Sequence, residues 1–582
     1  MAMNMTAAVR FYIDKIVADP KISGMKVLLL DAVTTQVVAM VYSQSQILEK
    51  EVYLVERIDA DHEPMQHLKA VYFIRPTKEN IQTLCKEVAR PRFAEYHVFF
   101  CSICPHELLQ QLAAADEHEV VRQVQEYYAE FCAVNEDFFS ANCPDSMQLA
   151  LPRPPATAKT LLSRNREAVL SVLLALKKKP SAIRYAGSST TARQLAMDIS
   201  AQIQADQIFD FRRQQGPLLL ILDRRDDPVT PLLSQWTYQA MVHELLGLND
   251  NRVVLKGAPG VRKDLEEVVL SCTQDDFFAR NRFSNFGDLG VAVKGLMDDY
   301  QKATRLNENI NSIEDMQAFL ERQVHGCGRP LATRCEEYPA FRSQSLNVSK
   351  HVAVLSELAR LVEVYHLLDV SQFEQELACA DDHVAHYREL MEKLTSTRIK
   401  LPDKLRLAML YALRYEDTGN LRAVKERLLD SGLTPEKVDL MDALLQYAGN
   451  ASRGPGLFGQ EDDLMSKLGK QITTSLQGVE NVYAQHVPLL MTTIEAALKA
   501  KLKDNTYPSV GQTGGKPQEI IVFMVGGVTY EEACKVAELN ASLPSGNVVL
   551  GGSFVHNSTS FLEELNLSFG PANVERGLGA FR

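Results

Sequence analysis

The first quarter of the chain alternates short apolar runs with stretches of helical periodicity. The stretch MKVLLLD at 25–31 contains a continuous apolar run, which is typical of a strand covered on both faces of a sheet. Similar runs follow at 51–58, 70–77 and 96–102, each separated by about the length of one helix. Alternating strands and helices predict a mostly parallel sheet with right-handed crossovers. We therefore expect an α/β domain that ends near Phe131.

Polar residues mark the ends of several predicted helices. The helix over 77–90 begins at Thr77, a residue type that caps helix N-termini. The helix over 161–179 ends in three lysines, whose charge favours a helix C-terminus. Thr529 precedes Glu532 by three residues, which is the spacing of a capping box.

Helical periodicity dominates from about residue 250 to residue 505. Apolar residues recur at i, i+3 and i+4 spacing in three long stretches: 349–368, 403–415 and 486–503. An apolar strand at 217–223 precedes this region, and two more strands, at 519–527 and 547–553, follow it. The economical prediction is a second α/β sheet interrupted by a long helical insertion.

The predicted fold class is therefore α/β plus all-α, with two parallel-sheet α/β domains and a mainly helical insertion in the second. A chain of 582 residues is too long for one core, and about 150 residues per domain suggests roughly three or four units. The predicted division is a first domain at 1–132, a second domain at 133–248 and 480–582, and a helical domain at 249–479.

Composition and charge narrow the class of protein. The 46% hydrophobic and 23% charged content is that of an ordinary globular protein, and the net charge of −12 disfavours a general nucleic-acid binder. No apolar run approaches the roughly 18 residues of a membrane helix, and the first 20 residues lack the core of a signal peptide. The ten cysteines are scattered, which suits a reducing compartment. We expect a cytoplasmic protein without a nucleic-acid partner.

Candidate chemistry is concentrated directly after the strand at 217–223. Five charged residues follow one another there: Asp223, Arg224, Arg225, Asp226 and Asp227. Carboxylates at the carboxyl edge of an open α/β sheet lie where ligands bind. A magnesium site would also need phosphates and a glycine-rich cradle, and the chain contains no G-x-x-x-x-G-K-[ST] sequence. Because the arginines supply neutralising charge, we expect a structural brace in which Asp223 and Arg224 tie the strand end to the loop.

Two further features leave an enzymatic alternative open. The turn VGGVTYEEA at 525–533 places two glycines between a strand and a helix, the general location of phosphate loops. Cys101 and Cys104 form a C-x-x-C at a strand end, as in thioredoxin-type sites, although Phe100 stands where those sites usually have tryptophan. The alternative function is thus a nucleotide- or thiol-dependent α/β enzyme that uses the strand-end aspartates or these cysteines.

Other motifs of catalysis and metal binding are missing from the sequence. The 13 histidines form no H-E-x-x-H or comparable spacing, and no G-x-S-x-G elbow occurs. We predict no catalytic residue, no metal and no cofactor, which favours a binding scaffold.

Several stretches, taken in order, resemble the Sec/Munc (SM) family of cytosolic proteins that bind SNAREs and regulate vesicle fusion. The resemblance is carried by 25–59, 70–81, 113–128, 221–248, 478–490 and 520–533. They are most similar to the vacuolar-protein-sorting branch, which serves a syntaxin of the trans-Golgi and endosome. The resemblance implies an arch-shaped clasp without enzymatic activity. It also implies peripheral association with Golgi, endosomal and vacuolar membranes through SNAREs.

The resemblance implies a first partner site on the outer face of the first domain, where a short N-terminal syntaxin peptide binds. We expect this pocket to be a groove formed by a helix and a loop within 106–128. Its candidate residues are Leu108, Leu112, Ala113, Val120, Val124 and Tyr127. Ordinary helix core is the alternative explanation for each of them.

The second implied site is a cleft between the first domain and a helical hairpin of the insertion, which would receive an assembled SNARE bundle or a vesicle SNARE. Glu56 and Arg57 are candidates on the first-domain side, and the hairpin is expected within 311–368. The segment 322–336, with two glycines, a proline and two cysteines, departs from the family pattern. We expect that segment to be disordered or looped out.

Overall fold

The computed structural model describes residues 3–61, 63–211, 216–304, 316, 338–458, 482–511, 515–543 and 547–570. The β-strands within them are β1 (Lys26–Leu30), β2 (Val52–Arg57), β3 (Met65–Ile74), β4 (Phe93–Phe100), β5 (Val121–Glu126), β6 (Cys132–Asn135), β7 (Phe138–Ser140), β8 (Ala182–Tyr185), β9 (Leu218–Asp223), β10 (Arg252–Val254), β11 (Glu267–Val269), β12 (Ser509–Val510), β13 (Glu519–Val525) and β14 (Asn547–Gly552).

The α-helices in the same residues are α1 (Met5–Val17), α2 (Ala32–Val41), α3 (Gln44–Leu48), α4 (Lys78–Ala89), α5 (His106–Ala115), α6 (Ala158–Leu176), α7 (Thr190–Ala205), α8 (Tyr238–Leu245), α9 (Asp276–Asn281), α10 (Phe286–Thr304), α11 (Tyr338–Val364), α12 (Leu367–Cys379), α13 (His383–Thr395), α14 (Leu401–Arg414), α15 (Leu421–Asp430), α16 (Pro435–Val438), α17 (Leu440–Ala448), α18 (Leu489–Leu498), α19 (Tyr530–Ser542) and α20 (Ser558–Phe569). None of these helices is both long and apolar enough to cross a bilayer.

The first sheet is parallel and has the strand order β2-β1-β3-β4-β5. Leu28 of β1 pairs with Val55 of β2 on one side and with Val71 of β3 on the other. Every residue of β1 is buried because helices cover both faces of the sheet. Helices α1 and α2 cover one face, and helices α4 and α5 cover the other. The continuous apolar run in the sequence is thereby explained.

The edge strand β5 is a feature that the sequence did not indicate. Helix α5 ends at Ala115, and the carboxylate of Asp116 then accepts hydrogen bonds from the backbone N–H groups of Val120 (2.9 Å) and Val121 (3.0 Å). This turn leads into a strand, where we expected only a helix and a loop within 106–128. Among the described residues this strand has a neighbour on one side only, which suits its polar sequence, and Val124 on it is exposed.

The second sheet has the order β12-β8-β9-β13-β14-β7-β6. Its five central strands are parallel, and the short strands β12 and β6 add antiparallel edges. Leu220 of β9 pairs with Val522 of β13, so strands from before and after the helical stretch lie side by side. The prediction of an α/β sheet interrupted by a helical insertion is confirmed.

The observed helix ends agree in part with the ends that we predicted from capping and charged residues. The side chain of Thr77 accepts a hydrogen bond from the Asn80 N–H at 3.3 Å and caps α4, as predicted. Helix α6 ends at Leu176, three residues before the predicted end, because Lys177 adopts a left-handed conformation with φ of 53°.

The described residues between the two parts of the second sheet are mainly helical, with one exception. Strands β10 and β11 form an antiparallel hairpin whose Val253 and Val268 are buried. The long helix α11 packs against α10. Most of the first arm of the predicted hairpin, 311–321, and the segment 322–336 lie outside the described residues; Met316 is the described exception and is buried.

Candidate functional site

The charged loop after β9 is closed by a buried ion pair. Arg224 is fully buried, and its guanidinium donates to the backbone carbonyls of Gly527 (3.0 Å) and Asp227 (3.0 Å). One nitrogen lies 2.5 Å from an Oε atom of Glu532, whose side chain is also fully buried. Burial opposes the charge on the guanidinium, but the carboxylates of Glu532 and Asp227 outweigh it and raise the pKa of Arg224. The pair therefore joins the two segments of the second sheet.

Two aspartates of the loop form hydrogen bonds with the part of the chain that leads from the helical region back to the second sheet. Asp226 accepts hydrogen bonds from the Gly454 N–H (2.7 Å) and from the Ser188 hydroxyl (2.9 Å). Asp227 accepts one from the Leu489 N–H at 3.1 Å. Gly454 follows α17 and Leu489 begins α18, so the loop contacts chain on both sides of the segment 459–481.

The predicted brace, in which Asp223 and Arg224 tie the strand end to the loop, is confirmed: Asp223 accepts a hydrogen bond from the Arg225 N–H and Arg224 donates one to the Asp227 carbonyl, each at 3.0 Å. Asp223 accepts a hydrogen bond from the Ser189 hydroxyl and pairs with Arg225 at 3.4 Å, while Arg224 points to the other segment of the sheet. Burial and the neighbouring charge of Asp223 raise the pKa of Asp226 to about 6. The carboxylates of this loop are therefore engaged with protein groups rather than presented to a ligand.

The glycine turn after β13 is filled by side chains. Gly526 and Gly527 have φ of +82° and +93°, a conformation that favours glycine. A Cβ atom on Gly527 would lie 2.3 Å from the ring of His556, and one on Gly526 would lie 3.0 Å from the hydroxyl of Tyr447. The glycines therefore allow close packing, and the space of a phosphate cradle is occupied.

A small cavity lies beside this turn, between α8 and the loops that follow β13 and β14. His243, Glu244, Tyr530, His556 and Asn557 contribute to its lining. Burial and the nearby His556 lower the pKa of His243 to about 3, so this imidazole is neutral. The cavity has room for about one water molecule, which is too little for a nucleotide.

The two cysteines of the C-x-x-C are buried. Cys101 is 0% exposed and Cys104 is 7% exposed. Burial raises the pKa of the Cys101 thiol well above its usual range. Burial, together with the charge of Glu126, raises the pKa of Cys104 to about 12. Reactive thiols need the opposite, a low pKa and access to solvent. Within the part of the chain that the structure describes, His, Cys, Asp and Glu side chains form no group of three or more suited to a metal ion.

Three of the six predicted pocket residues are buried, on two different sides of the first sheet. Leu108 and Leu112 pack between α5 and the sheet. Tyr127 lies in the core on the opposite face, where its ring is 5.3 Å from that of Tyr12 and 5.5 Å from that of Phe99. These three side chains support the fold of the first domain and offer little surface to a partner.

The other three predicted pocket residues remain accessible. Ala113 is exposed on α5, Val120 is half-buried, and Val124 of β5 is 45% exposed. Among the described residues, β5 pairs with β4 alone, so one edge of its backbone faces outward. Exposed acids, Glu117 and Glu119, stand on the turn that precedes the strand.

The predicted cleft residues lie at the carboxyl end of β2, the opposite edge of the same sheet. Arg57 forms an exposed ion pair with Asp59 at 2.6 Å, and Glu56 beside it is half-buried. The sequence did not single out Tyr53 of the same strand, a residue that is 58% exposed. Aromatic residues are enriched at protein interfaces.

Comparisons with known proteins identify the family to which this chain belongs. A sequence profile described as the Sec1 family matches residues 26–564. The chain belongs to the Sec1 family. Within this family, it is 45% identical over 569 residues to the vacuolar protein sorting-associated protein 45 of Dictyostelium discoideum, with 97% of each chain covered. Its identity to the Homo sapiens protein of the same name is 45% over 571 residues, covering 97% of this chain and 96% of the other.

The fold of this Sec1-family chain matches a solved structure of the SM protein Vps45 in complex with the Qa SNARE Tlg2 (1–310). The TM-score is 0.85 at 40% identity, and the match covers 97% of this chain and 98% of that one. The resemblance to the SM family and the predicted fold class are both confirmed.

Proposed function

We propose that this protein is an SM-type regulator of SNARE-mediated membrane fusion. It binds a syntaxin-type Qa SNARE of the trans-Golgi and endosome and promotes assembly of the SNARE complex in transport to the endosome and vacuole. The observation that carries this proposal is the match over 97% of the chain, in sequence and in fold, with Vps45 in its complex with Tlg2.

The N-terminal peptide of the syntaxin binds at the outer edge of the first sheet in this proposal. Ala113, Val120 and Val124 contact the peptide, and the outward edge of β5 offers backbone groups to an extended segment. Leu108, Leu112 and Tyr127 act indirectly, by holding α5 and the end of β5 in place. The exposed acids before β5 attract a basic residue of the peptide.

The helical part of the SNARE, or the assembled bundle, binds in a cleft that includes the opposite edge of the same sheet. Glu56 and Arg57 contribute on this side, joined by the exposed Tyr53, and the hairpin of α10 and α11 contributes on the other. An exposed ion pair such as Arg57–Asp59 contributes little to stability, so Arg57 can exchange its partner for an acidic SNARE residue at small cost.

The protein acts by binding rather than by catalysis. The aspartates after β9 are bonded within the protein, the glycine turn is filled, and the C-x-x-C thiols are buried. We propose a cytoplasmic location with peripheral association, through SNAREs, with Golgi, endosomal and vacuolar membranes.

A binding measurement with the full chain tests the proposal. The probes are the cytosolic region of a Qa SNARE of the Tlg2 class and a fluorescent peptide of its first residues. Val124→Arg should weaken peptide binding at least about tenfold, because a charge replaces an apolar contact. Val384→Arg is the matched control, since Val384 is 78% exposed on α13 in the helical region.

The thermal unfolding midpoint of each variant is measured first to confirm folding. Unchanged peptide affinity in folded Val124→Arg would remove β5 from the site. Failure of the unmodified protein to bind the SNARE or its peptide would contradict the proposed function itself.

A further inference from the structure

Three buried polar side chains form a hydrogen-bonded chain that joins helices α8, α9 and α11. The hydroxyl of Tyr238 on α8 lies 2.9 Å from Nδ1 of His351 on α11, and Nε2 of His351 lies 3.0 Å from Oδ2 of Asp275. Asp275 precedes α9 and caps it by accepting the Phe278 N–H at 2.9 Å. Tyr238 and His351 are fully buried, and Asp275 is nearly so. These bonds therefore fix one point of α11 against two neighbouring helices.

The charges around His351 determine which atoms donate. Asp275 also forms an ion pair with Lys350, whose ammonium donates to the Val269 carbonyl at 3.2 Å. Burial opposes the charge of Asp275, but His351 and Lys350 outweigh burial and lower its pKa, so Asp275 only accepts hydrogen bonds. Burial lowers the pKa of His351, although Asp275 opposes this, so the ring is neutral near pH 7. Nε2 then donates to Asp275 and the Tyr238 hydroxyl donates to Nδ1, so both ring nitrogens of His351 are satisfied.

Both arms of the α10–α11 hairpin are attached to one short segment, residues 236–239, between the charged loop and α8. The first arm is attached through the backbone, and its hydrogen bonds run from the Phe286 N–H to the Trp236 carbonyl (3.0 Å), from the Tyr238 N–H to the Ser284 carbonyl (3.0 Å) and from the Gln239 N–H to the Arg282 carbonyl (2.9 Å). The second arm is attached through the bond between His351 and the side chain of Tyr238. Tyr238 is therefore an anchor that the two arms share.

Helix α11 extends well beyond the point at which His351 holds it. The helix begins at Tyr338, and at 1.5 Å per residue about 20 Å of helix separates Tyr338 from His351. A rotation of about 10° at His351 therefore moves the start of α11 by about 3 Å. Helix α11 also packs against α8, α10 and α12, but apolar contacts are not directional. The hydrogen bonds of His351 are directional, so they select one orientation of the helix.

We propose that His351, held between Tyr238 and Asp275, is a positioning residue that sets the orientation of the α10–α11 hairpin at the SNARE cleft. This inference rests on the proposed function, in which the hairpin forms one side of that cleft. Loss of one of these bonds leaves the two helices packed together, because Val293 of α10 and Val352 of α11 stay buried, but it widens the range of hairpin orientations. A SNARE must then order the hairpin as it binds, which costs affinity.

A pair of tyrosine variants separates positioning from general stability. Tyr238→Phe removes the bond to His351 and keeps the ring, whose centre lies 5.5 Å from that of Phe278. Tyr415→Phe is the matched control, because the Tyr415 hydroxyl lies 2.8 Å from Nδ1 of His386 and both residues are buried. His386 lies on α13 and Tyr415 directly follows α14, so neither belongs to the hairpin or to α8.

The first measurement is binding of the cytosolic region of a Qa SNARE of the Tlg2 class from which the N-terminal peptide has been removed. Tyr238→Phe should weaken this binding about fivefold, the usual effect of losing one hydrogen bond, and Tyr415→Phe should not weaken it. The affinity for the isolated N-terminal peptide should be the same in both variants and in the unmodified protein, because the peptide site lies on the first sheet.

The second measurement needs no SNARE. Hydrogen exchange of the free protein should become faster in α10 and α11 in Tyr238→Phe and remain unchanged there in Tyr415→Phe. Asp275→Asn is a second variant that breaks the other end of the chain, and it should act in the same direction, since asparagine also caps helices well. Trp236 is the only tryptophan of the chain, and its ring centre lies 6.5 Å from that of Phe286 at the start of α10. Its fluorescence emission should therefore shift in Asp275→Asn.

Two results would overturn the inference. Equal losses of SNARE affinity in Tyr238→Phe and Tyr415→Phe would mean that the His351 bond supports only general stability. Unchanged exchange of α10 and α11 in folded Tyr238→Phe and Asp275→Asn would mean that His351 does not orient the hairpin. Failure of the unmodified protein to bind the SNARE would instead contradict the proposed function, and the exchange result would still decide whether His351 orients the hairpin.

Discussion

Arg224 is a buried charged residue whose guanidinium is fully supplied with partners inside the protein. Its guanidinium is balanced by one carboxylate and two backbone carbonyls, and Glu532 has no exposure to solvent. Burial raises the pKa of Glu532, and the charge of Arg224 opposes this rise. Removing one member of such a pair costs more than removing both.

The consequence is testable with single and double variants. Arg224→Met should lower the free energy of unfolding by about 3–5 kcal/mol, because it leaves Glu532 buried and unpaired. Arg224→Met combined with Glu532→Met should recover most of this loss. Urea unfolding at pH 7 measures both. A single variant as stable as the double one would mean that the pair does not bind the two segments together.

At the scale of elements, helix α19 has a cap that holds the glycine turn against the start of the helix. The Thr529 hydroxyl accepts a hydrogen bond from the Glu532 N–H at 3.2 Å, and the Glu532 carboxylate accepts one from the Thr529 N–H at 2.9 Å. This is the predicted capping box, and its glutamate is also the partner of Arg224. The side chain of Glu532 therefore both caps helix α19 and forms the long-range ion pair with Arg224.

Replacement of the capping hydroxyl should have a moderate effect. Thr529→Ala should destabilise the protein by about 1 kcal/mol, the usual cost of losing an N-cap, and Thr529→Ser should lose much less. The same urea titration distinguishes them. Equal losses in both variants would point to the methyl group of Thr529, rather than its hydroxyl, as the stabilising part.

The sequence predicted some β-strands and missed others, and the difference has a physical reason. Strands β1, β9 and β13 are covered on both faces, so their apolar runs are continuous and were found. Strand β5 is an edge with the sequence VRQVQE, and its polar residues conceal it. Strands β6, β7, β8 and β12 have only two to four residues each, too few for a periodic pattern.

For the molecule as a whole, the family resemblance predicted the fold and the class of partner but not which side chains reach the surface. Leu112 and Val124 are both apolar and both stood in the predicted pocket, yet one is 2% and the other 45% exposed. Likewise, nothing in the sequence indicates that Arg224 and Glu532, which are 308 residues apart, form an ion pair. Exposure and long-range pairing follow from the assembled sheets, which local patterns do not describe.

The dependence of the second sheet on both of its segments leads to a prediction for the whole chain. A protein that ends at residue 505 lacks β13, so β9 loses a neighbour and Arg224 loses Glu532. Its 133–248 segment should be cut rapidly by protease, while the first sheet persists. Co-expression of residues 506–582 as a separate polypeptide should restore protection, and resistance of the shortened protein alone would contradict this dependence.

The interruption of the second sheet also affects how the sheet can form during translation. Leu220 and Val522 are paired neighbours, but about 300 residues separate them along the chain. At translation rates of about 5–20 residues per second, the ribosome releases β13 some 15–60 s after β9. During that interval strand β9, which is apolar from Leu218 to Leu222, presents an unpaired edge, and such an edge can aggregate or recruit a chaperone. Ribosome-bound chains of this protein should therefore be unusually dependent on chaperones until the last hundred residues emerge.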